Sequence, residues 1–204
     1  MSPWVGLALG YHVLSRLAYA VGVGAALRRQ EREQIFTRLH GVEAGFRRFR
    51  WLASAVMNND AVSFVVLCLA TRNTLWPNLE PLLRIAGAVT LIALGIGIKA
   101  WAARNLGGEA YYWHNFFTDD DPVPTKPSGP YRYLKNPMYT VGYAHAYGAA
   151  LLLASRLGLL AAVFDQVAIL MFYVWVEQPH FERLIRRDLH QRPAAHVPEK
   201  ELPR

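Results

Sequence analysis

A run of cationic and phenolic residues, Gly129-Pro130-Tyr131-Arg132-Tyr133-Leu134-Lys135-Asn136-Pro137-Met138-Tyr139, leads into an apolar segment. A carboxylate, Glu177, closes a later apolar segment and is followed by His180. Arg132 and Lys135 can hold a carboxylate or phosphate through charge-assisted hydrogen bonds. Glu177 can accept from hydroxyls or an ammonium, and hydrogen bonds with nearby cations can keep it ionised. His180, His145 and His114 carry imidazoles, the side chain most used to take a proton. Tyr139, Tyr143 and Tyr147 recur at i, i+4 and i+8, which predicts a tyrosine ladder on one face of a helix beginning close to Pro137. With Trp113, Tyr173 and Trp175 they offer aromatic faces to a cation. Each set also has a plainer reading. Interfacial loops are rich in Arg, Lys and Tyr, a tyrosine stripe is often core, and a helical histidine is often structural.

Other polar residues fall inside apolar runs. His12, Ser15 and Arg16 lie mid-way along the first, and Asn58, Asn59 and Asp60 along the second. A charge at that depth is paired or functional, so Arg16 and Asp60 are expected to form an ion pair that ties two helices or meets a headgroup. Gly95 and Gly97 suit close helix packing or the close approach of a ligand. Tyr111, Tyr112, Trp113, His114, Phe116 and Phe117 precede the acidic run Asp119-Asp120-Asp121. They fit an interfacial belt or a lid over a cationic ligand. Cys68 is the single cysteine, which excludes an internal disulfide, and it sits in an apolar run.

The elements that must position these residues are apolar blocks. Apolar residues make up 53% of the 204, and they cluster at Pro3 to Leu27, Trp51 to Ala70, Leu82 to Ala103, Tyr139 to Leu153 and Leu157 to Val176. Each approaches the ~20 residues that cross a bilayer. The expected fold is an all-α polytopic membrane protein of about five spans, the last two a hairpin. The first block lacks a basic leader and is expected to remain as a span. With the N-terminus outside and the C-terminus cytoplasmic, Arg28 to Arg50, Arg104 to Met138 and Gln178 to Arg204 face the cytoplasm and hold 7, 4 and 6 of the 22 Lys and Arg residues. That asymmetry obeys the positive-inside rule. The net charge of +7 therefore reads as topology and attraction to anionic headgroups, not as a nucleic-acid footprint. Four regions follow: 1–103 with a surface-lying amphipathic linker at 28–50, a cytoplasmic covering loop at 104–138, a hairpin and cytoplasmic helix at 139–190, and a tail at 191–204.

Gly129-Pro130-Tyr131-Arg132-Tyr133, Lys135-Asn136-Pro137-Met138-Tyr139-x-x-Gly142 and, after a short hairpin, Glu177-x-Pro179 resemble the C-terminal half of a family of integral-membrane methyltransferases. That family includes isoprenylcysteine carboxyl methyltransferases and phospholipid N-methyltransferases. The resemblance covers Gly95 to Arg187 and is closest to the enzymes that methylate phosphatidylethanolamine. It implies S-adenosylmethionine as cofactor and a phospholipid substrate in the bilayer, with no metal. It assigns cofactor contacts to Gly95, Gly97, Arg132, Lys135, Asn136, Pro137, Tyr139, Gly142 and Glu177. Glu177 and His180 are the candidate catalytic residues, and Tyr143, Tyr147, Trp113, His114 and His145 the candidate substrate contacts. Lys135-Asn136-Pro137 replaces the commoner Arg-His-Pro, so an amide stands where an imidazole is usual, and Glu177-Gln178 replaces a Glu pair. The chemistry is an in-line displacement that depends on alignment in a site cleared of water. Two other functions fit the residues: a carboxyl or thiol methyltransferase acting on an apolar molecule, and a non-catalytic lipid-binding or scaffold protein.

Overall fold

The structure, a computed structural model, describes residues 2–75, 80–118 and 128–191, and the described residues are helical with no strand. The acidic run Asp119-Asp120-Asp121 and the tail after Gln191 lie outside them. Helix α1 (Pro3–Leu17) continues through a wider π-helical turn (Ala18–Val23) into α2 (Gly24–Glu33). Then come α3 (Ile35–His40), α4 (Val42–Ala70), α5 (Pro81–Leu106) and α6 (Ala144–Leu152). Helix α7 (Arg156–Phe172) passes through a second π turn (Tyr173–Glu177) into α8 (Gln178–Gln191).

Three of the described helices are long and apolar enough to cross a membrane: Val42–Ala70, Pro81–Leu106 and the continuous helix Arg156–Arg187. Of the five blocks expected to span, the fourth forms only the nine residues of α6. At 1.5 Å per residue that is about 14 Å, half of the ~30 Å hydrocarbon core. Local chemistry sets the ends. Pro81 opens α5 at a position whose N–H needs no partner, and the Glu80 carboxylate accepts from the Leu83 N–H at 2.8 Å. Ser155 caps α7 in the same way through the Gly158 N–H at 2.8 Å.

Helices α5 and α6 approach closely because α6 is built from small residues. A Cβ on Gly148 would lie 2.7 Å from the Ala88 carbonyl oxygen, so only glycine allows this contact. The two hairpin loops at one end of the bundle are joined: Thr71 and Ser155 share a hydroxyl hydrogen bond of 2.6 Å, and the Arg84 guanidinium donates to the Leu152 carbonyl at 2.6 Å. The opposite end gathers α2, α3, the start of α4, the turns after α5 and the start of α8.

The structure departs from the sequence pattern in two segments. The linker 28–50 is not one amphipathic helix lying on a surface. Gln34 adopts a left-handed φ of 52° and reverses the chain, and the Gln30 side chain accepts from the Phe36 N–H at 3.0 Å. Residues from Val42 on already belong to α4, where Phe46 and Phe49 are core, packed with Phe117. The tyrosine ladder does not form either. Pro137 is followed by a turn and a 3₁₀ stretch, Val141–Tyr143, and the α-helix begins at Ala144. The Gly142 N–H closes on the Pro137 carbonyl at 2.8 Å and Asn136 Oδ1 accepts from the Tyr139 N–H at 3.1 Å. Asn136 thus holds the segment in a turn, as short amides do, and Tyr139 points elsewhere than Tyr147.

Candidate active site

Three segments converge on Glu177. Trp113 lies between two 3₁₀ turns with φ 60°, a left-handed conformation that is strained for a bulky residue and persists where surroundings over-determine it. Its ring is 4% exposed, packed against Phe49 and Phe172, and its indole N–H donates to Glu177 Oε1 at 2.6 Å. The Tyr139 hydroxyl donates to the same oxygen at 2.7 Å. Gln166 of α7 fixes the tyrosine's turn, donating to the carbonyls of Tyr139 and Thr140 at 3.1 and 3.2 Å while accepting from the Tyr147 hydroxyl at 2.7 Å. Glu177 is 7% exposed and sits on the second π turn. Its second oxygen, Oε2, has no hydrogen-bond partner among the described residues.

Arg132 and Lys135, expected beside this carboxylate, are exposed and form no ion pair with it among the described residues. Tyr131 is the nearer influence: burial, and then the charge of Glu177, push its phenol above the ordinary value. It stays protonated at physiological pH.

A cavity of about 270 Å³ lies beside this site. Tyr19, Trp113, Tyr139 and Tyr143 supply aromatic wall, and Lys99 and His145 also line it. The Lys99 ammonium lies 5.2 Å from the Tyr143 ring centre, and His145 Nδ1 donates to the Gly142 carbonyl at 2.7 Å. At the cavity floor the Arg16 guanidinium meets Asp60 at 2.6 Å, the pair expected from sequence, and meets Asp165 of α7 at 2.7 Å. His12 Nε2 is 3.2 Å from the same Asp165 oxygen.

The remaining candidates lie elsewhere. His180 donates from Nδ1 to Glu31 at 2.7 Å and stacks on Phe116 at 3.6 Å, lining a second cavity of about 490 Å³ with Arg28, Arg32 and Arg183. His114 is buried against Phe46. Neither His114 nor Tyr147 lines the cavity beside Tyr139. Gly95 packs on the turn of Gly142 and His145, whereas a Cβ on Gly97 would meet nothing within 4 Å. Pro137 is buried beneath Tyr139 and Asn136 is the cap described above.

Residues 83–187, just over half of the chain, match the family described as phospholipid methyltransferase. The chain belongs to this family. It is 30% identical over 193 residues to the phosphatidylethanolamine N-methyltransferase of Podospora anserina, an alignment covering 91% of this chain and 20% of that protein. It is 33% identical over 149 residues to the protein of the same name from Schizosaccharomyces pombe, covering 70% and 16%. The chain spans about one fifth of the length of the curated relatives it matches. No solved structure matches it.

In this phospholipid methyltransferase family member, the matched region holds Trp113, Tyr139, Asp165 and Glu177, while Arg16 and Asp60 lie before it. Sequence reasoning missed Asp165 and Gln166. A signal was present: between Arg156 and Glu177, Asp165 is the single charged residue, and an ionisable group inside a span is a site by default. Glu31, the partner of His180, carried no such mark in a linker full of charges.

Proposed function

We propose that this chain transfers methyl groups from S-adenosylmethionine to the amine of phosphatidylethanolamine, and to its partly methylated forms, on the way to phosphatidylcholine. The observation that carries the reading is Glu177: a buried carboxylate with one oxygen fixed by two donors and the other without a partner among the described residues, next to an aromatic cavity. The residues fit the cofactor. Glu177 Oε2 would take its ribose hydroxyls or its ammonium, and Lys135 and Arg132 its carboxylate at the exposed edge. When bound, the cofactor supplies an electrophilic methyl group on a positively charged sulfur.

The chain's own residues do the rest. Trp113 and Tyr139 fix the Glu177 carboxylate, so its orientation is set before any ligand arrives. Trp113, itself 4% exposed, covers the carboxylate with an apolar ring, and a site cleared of water favours the displacement. Tyr139, Tyr143 and Trp113 present ring faces to an amine that loses hydrogen-bond donors with each methyl group. The two buried carboxylates Asp60 and Asp165 at the cavity floor favour a cationic acceptor over a carboxylate one, since like charges repel. An outside N-terminus and a site facing the cytoplasm complete the proposal, on the strength of the Lys and Arg distribution.

The test is a lipid extract from cells lacking phosphatidylcholine that express this chain. Mono-, di- or trimethylated headgroups are expected, and Glu177→Ala abolishes them with the protein still inserted. No methylated lipid from the intact chain refutes the function, and full activity in Glu177→Ala refutes the site.

A further inference from the structure

The cluster at the cavity floor has a surplus of negative charge. Arg16, Asp60 and Asp165 are 4%, 4% and 2% exposed, so two carboxylates share one guanidinium. Buried charge is tolerated when paired and costly otherwise. Asp165 has His12 as a further neighbour, and the Tyr143 phenol faces Arg16; among the described residues Asp60 Oδ1 has no hydrogen-bond partner, and neither has Arg16 Nη1. Buried polar atoms without partners are rare in folded proteins and call for an explanation. Here an acceptor and a donor stand unused on adjacent side chains, and both side chains line the same cavity.

We propose that Asp60 and Arg16 form the seat of a phosphoethanolamine headgroup, with the ammonium on Asp60 Oδ1 and the phosphate on Arg16 Nη1 and Lys99. The assignment rests on reading the chain as a phospholipid amine methyltransferase, and it names the residue that readies the amine. In the seat an N–H bond of the ammonium breaks, its electron pair stays on nitrogen, and the proton forms an O–H bond on Asp60. That proton passes to water when the methylated lipid leaves. Tyr19, Tyr139 and Tyr143 lie around the same space and take over as the headgroup gains methyl groups. The headgroup is that of a lipid, because Ala61 and Val65 on the cavity rim are exposed on α4, a helix long and apolar enough to cross a membrane. A lipid can therefore slide in from the side.

The experiment is calorimetry on the purified full chain in detergent, without methyl donor. The probes are dihexanoyl phosphatidylethanolamine, dihexanoyl phosphatidylglycerol, which has the phosphate but no amine, and free phosphoethanolamine. The intact chain is expected to bind the ethanolamine lipid at least about tenfold more tightly than either other probe, and Asp60→Asn to lose that preference. Equal binding of the ethanolamine lipid by Asp60→Asn overturns the seat, and free phosphoethanolamine binding as well as the lipid overturns the lipid assignment. Should Asp60→Asn not fold, a hydrophobic carbodiimide added to the intact chain with the ethanolamine lipid decides. An amide to lipid on Asp60, located by mass spectrometry, supports the seat; an adduct elsewhere or none overturns it. The two levels separate cleanly. Methylation at the intact rate by Asp60→Asn removes the seat and leaves the function, whereas lipid bound at Asp60 in a chain that never methylates it does the reverse.

Discussion

Replacing Gly95 by alanine probes how the α5 glycines work. A Cβ there would lie 2.3 Å from the His145 backbone nitrogen and 2.9 Å from the Gly142 carbonyl oxygen. The first distance is roughly an ångström inside ordinary contact, and the colliding atoms are backbone, so no rotamer can relieve it. Overpacking of this kind costs ~1–3 kcal/mol, and the rigid partner puts Gly95 at the upper end. Alanine returns about 1 kcal/mol of helix propensity, which leaves a net loss of about 2 kcal/mol. For a chain of this size each kcal/mol moves Tm by about 2–4 °C, so Gly95→Ala is expected to melt about 4–8 °C lower. Gly97→Ala is the control: its Cβ meets nothing within 4 Å, so Tm stays level or rises slightly. Thermal unfolding of both variants in one detergent reads the difference. A Gly95→Ala protein as stable as the parent, or a Gly97→Ala protein that falls equally far, would refute the packing argument. Calorimetry with S-adenosylmethionine on the same samples completes the test: an unchanged Tm with weakened binding in Gly97→Ala would make that glycine a ligand contact.

Arg16→Met leaves two buried carboxylates facing each other without their shared cation, a loss of ~3–5 kcal/mol; little folded protein should survive detergent extraction, as size-exclusion chromatography would show. Tyr139→Phe removes one of the two donors to Glu177 while Trp113 keeps the other, so the fold should persist and S-adenosylmethionine affinity, read by calorimetry, should fall about tenfold. The contact of α2 with α8 should weaken in acid. Burial works to raise the Glu31 carboxyl, but hydrogen bonds from His180 and Arg183 outweigh it and hold the group below its ordinary value of 4.5. A carboxyl depressed in the folded state contributes its stability in full above the ordinary value and loses it as pH falls through the folded one. Melting curves taken down through pH 4.5 should show this loss, and Glu31→Gln should flatten it.

Much of the helical plan was legible because its signals are local. The second, third and fifth apolar blocks fall within α4, α5 and α7 with its π turn, and Pro81 and Ser155 mark helix starts by their own chemistry. The Arg16–Asp60 pair was legible because two opposite charges inside apolar runs have few alternatives. What escaped depended on partners distant in sequence. The ladder of Tyr139, Tyr143 and Tyr147 had helical spacing, but the Asn136 cap and the Gly142–Pro137 hydrogen bond hold the first of them in a turn. Phe46 and Phe49 lie in the stretch 28–50 expected to lie on a surface, but they are core because Trp113 and Phe117, more than sixty residues later, pack against them. The place of His180 was not legible either, because Glu31, the carboxylate that holds its Nδ1, lies 149 residues earlier in the chain.

Asp165 and Gln166 are neighbours on α7, and they serve different halves of the site. The former grips Arg16 at the cavity floor; the latter grips the carbonyls that aim Tyr139 at Glu177. A single helix is thus the common axle of both. If α7 tilts or rotates, the Arg16 cluster and the Tyr139–Glu177 contact travel together, and the alignment that the proposed in-line transfer needs survives the motion.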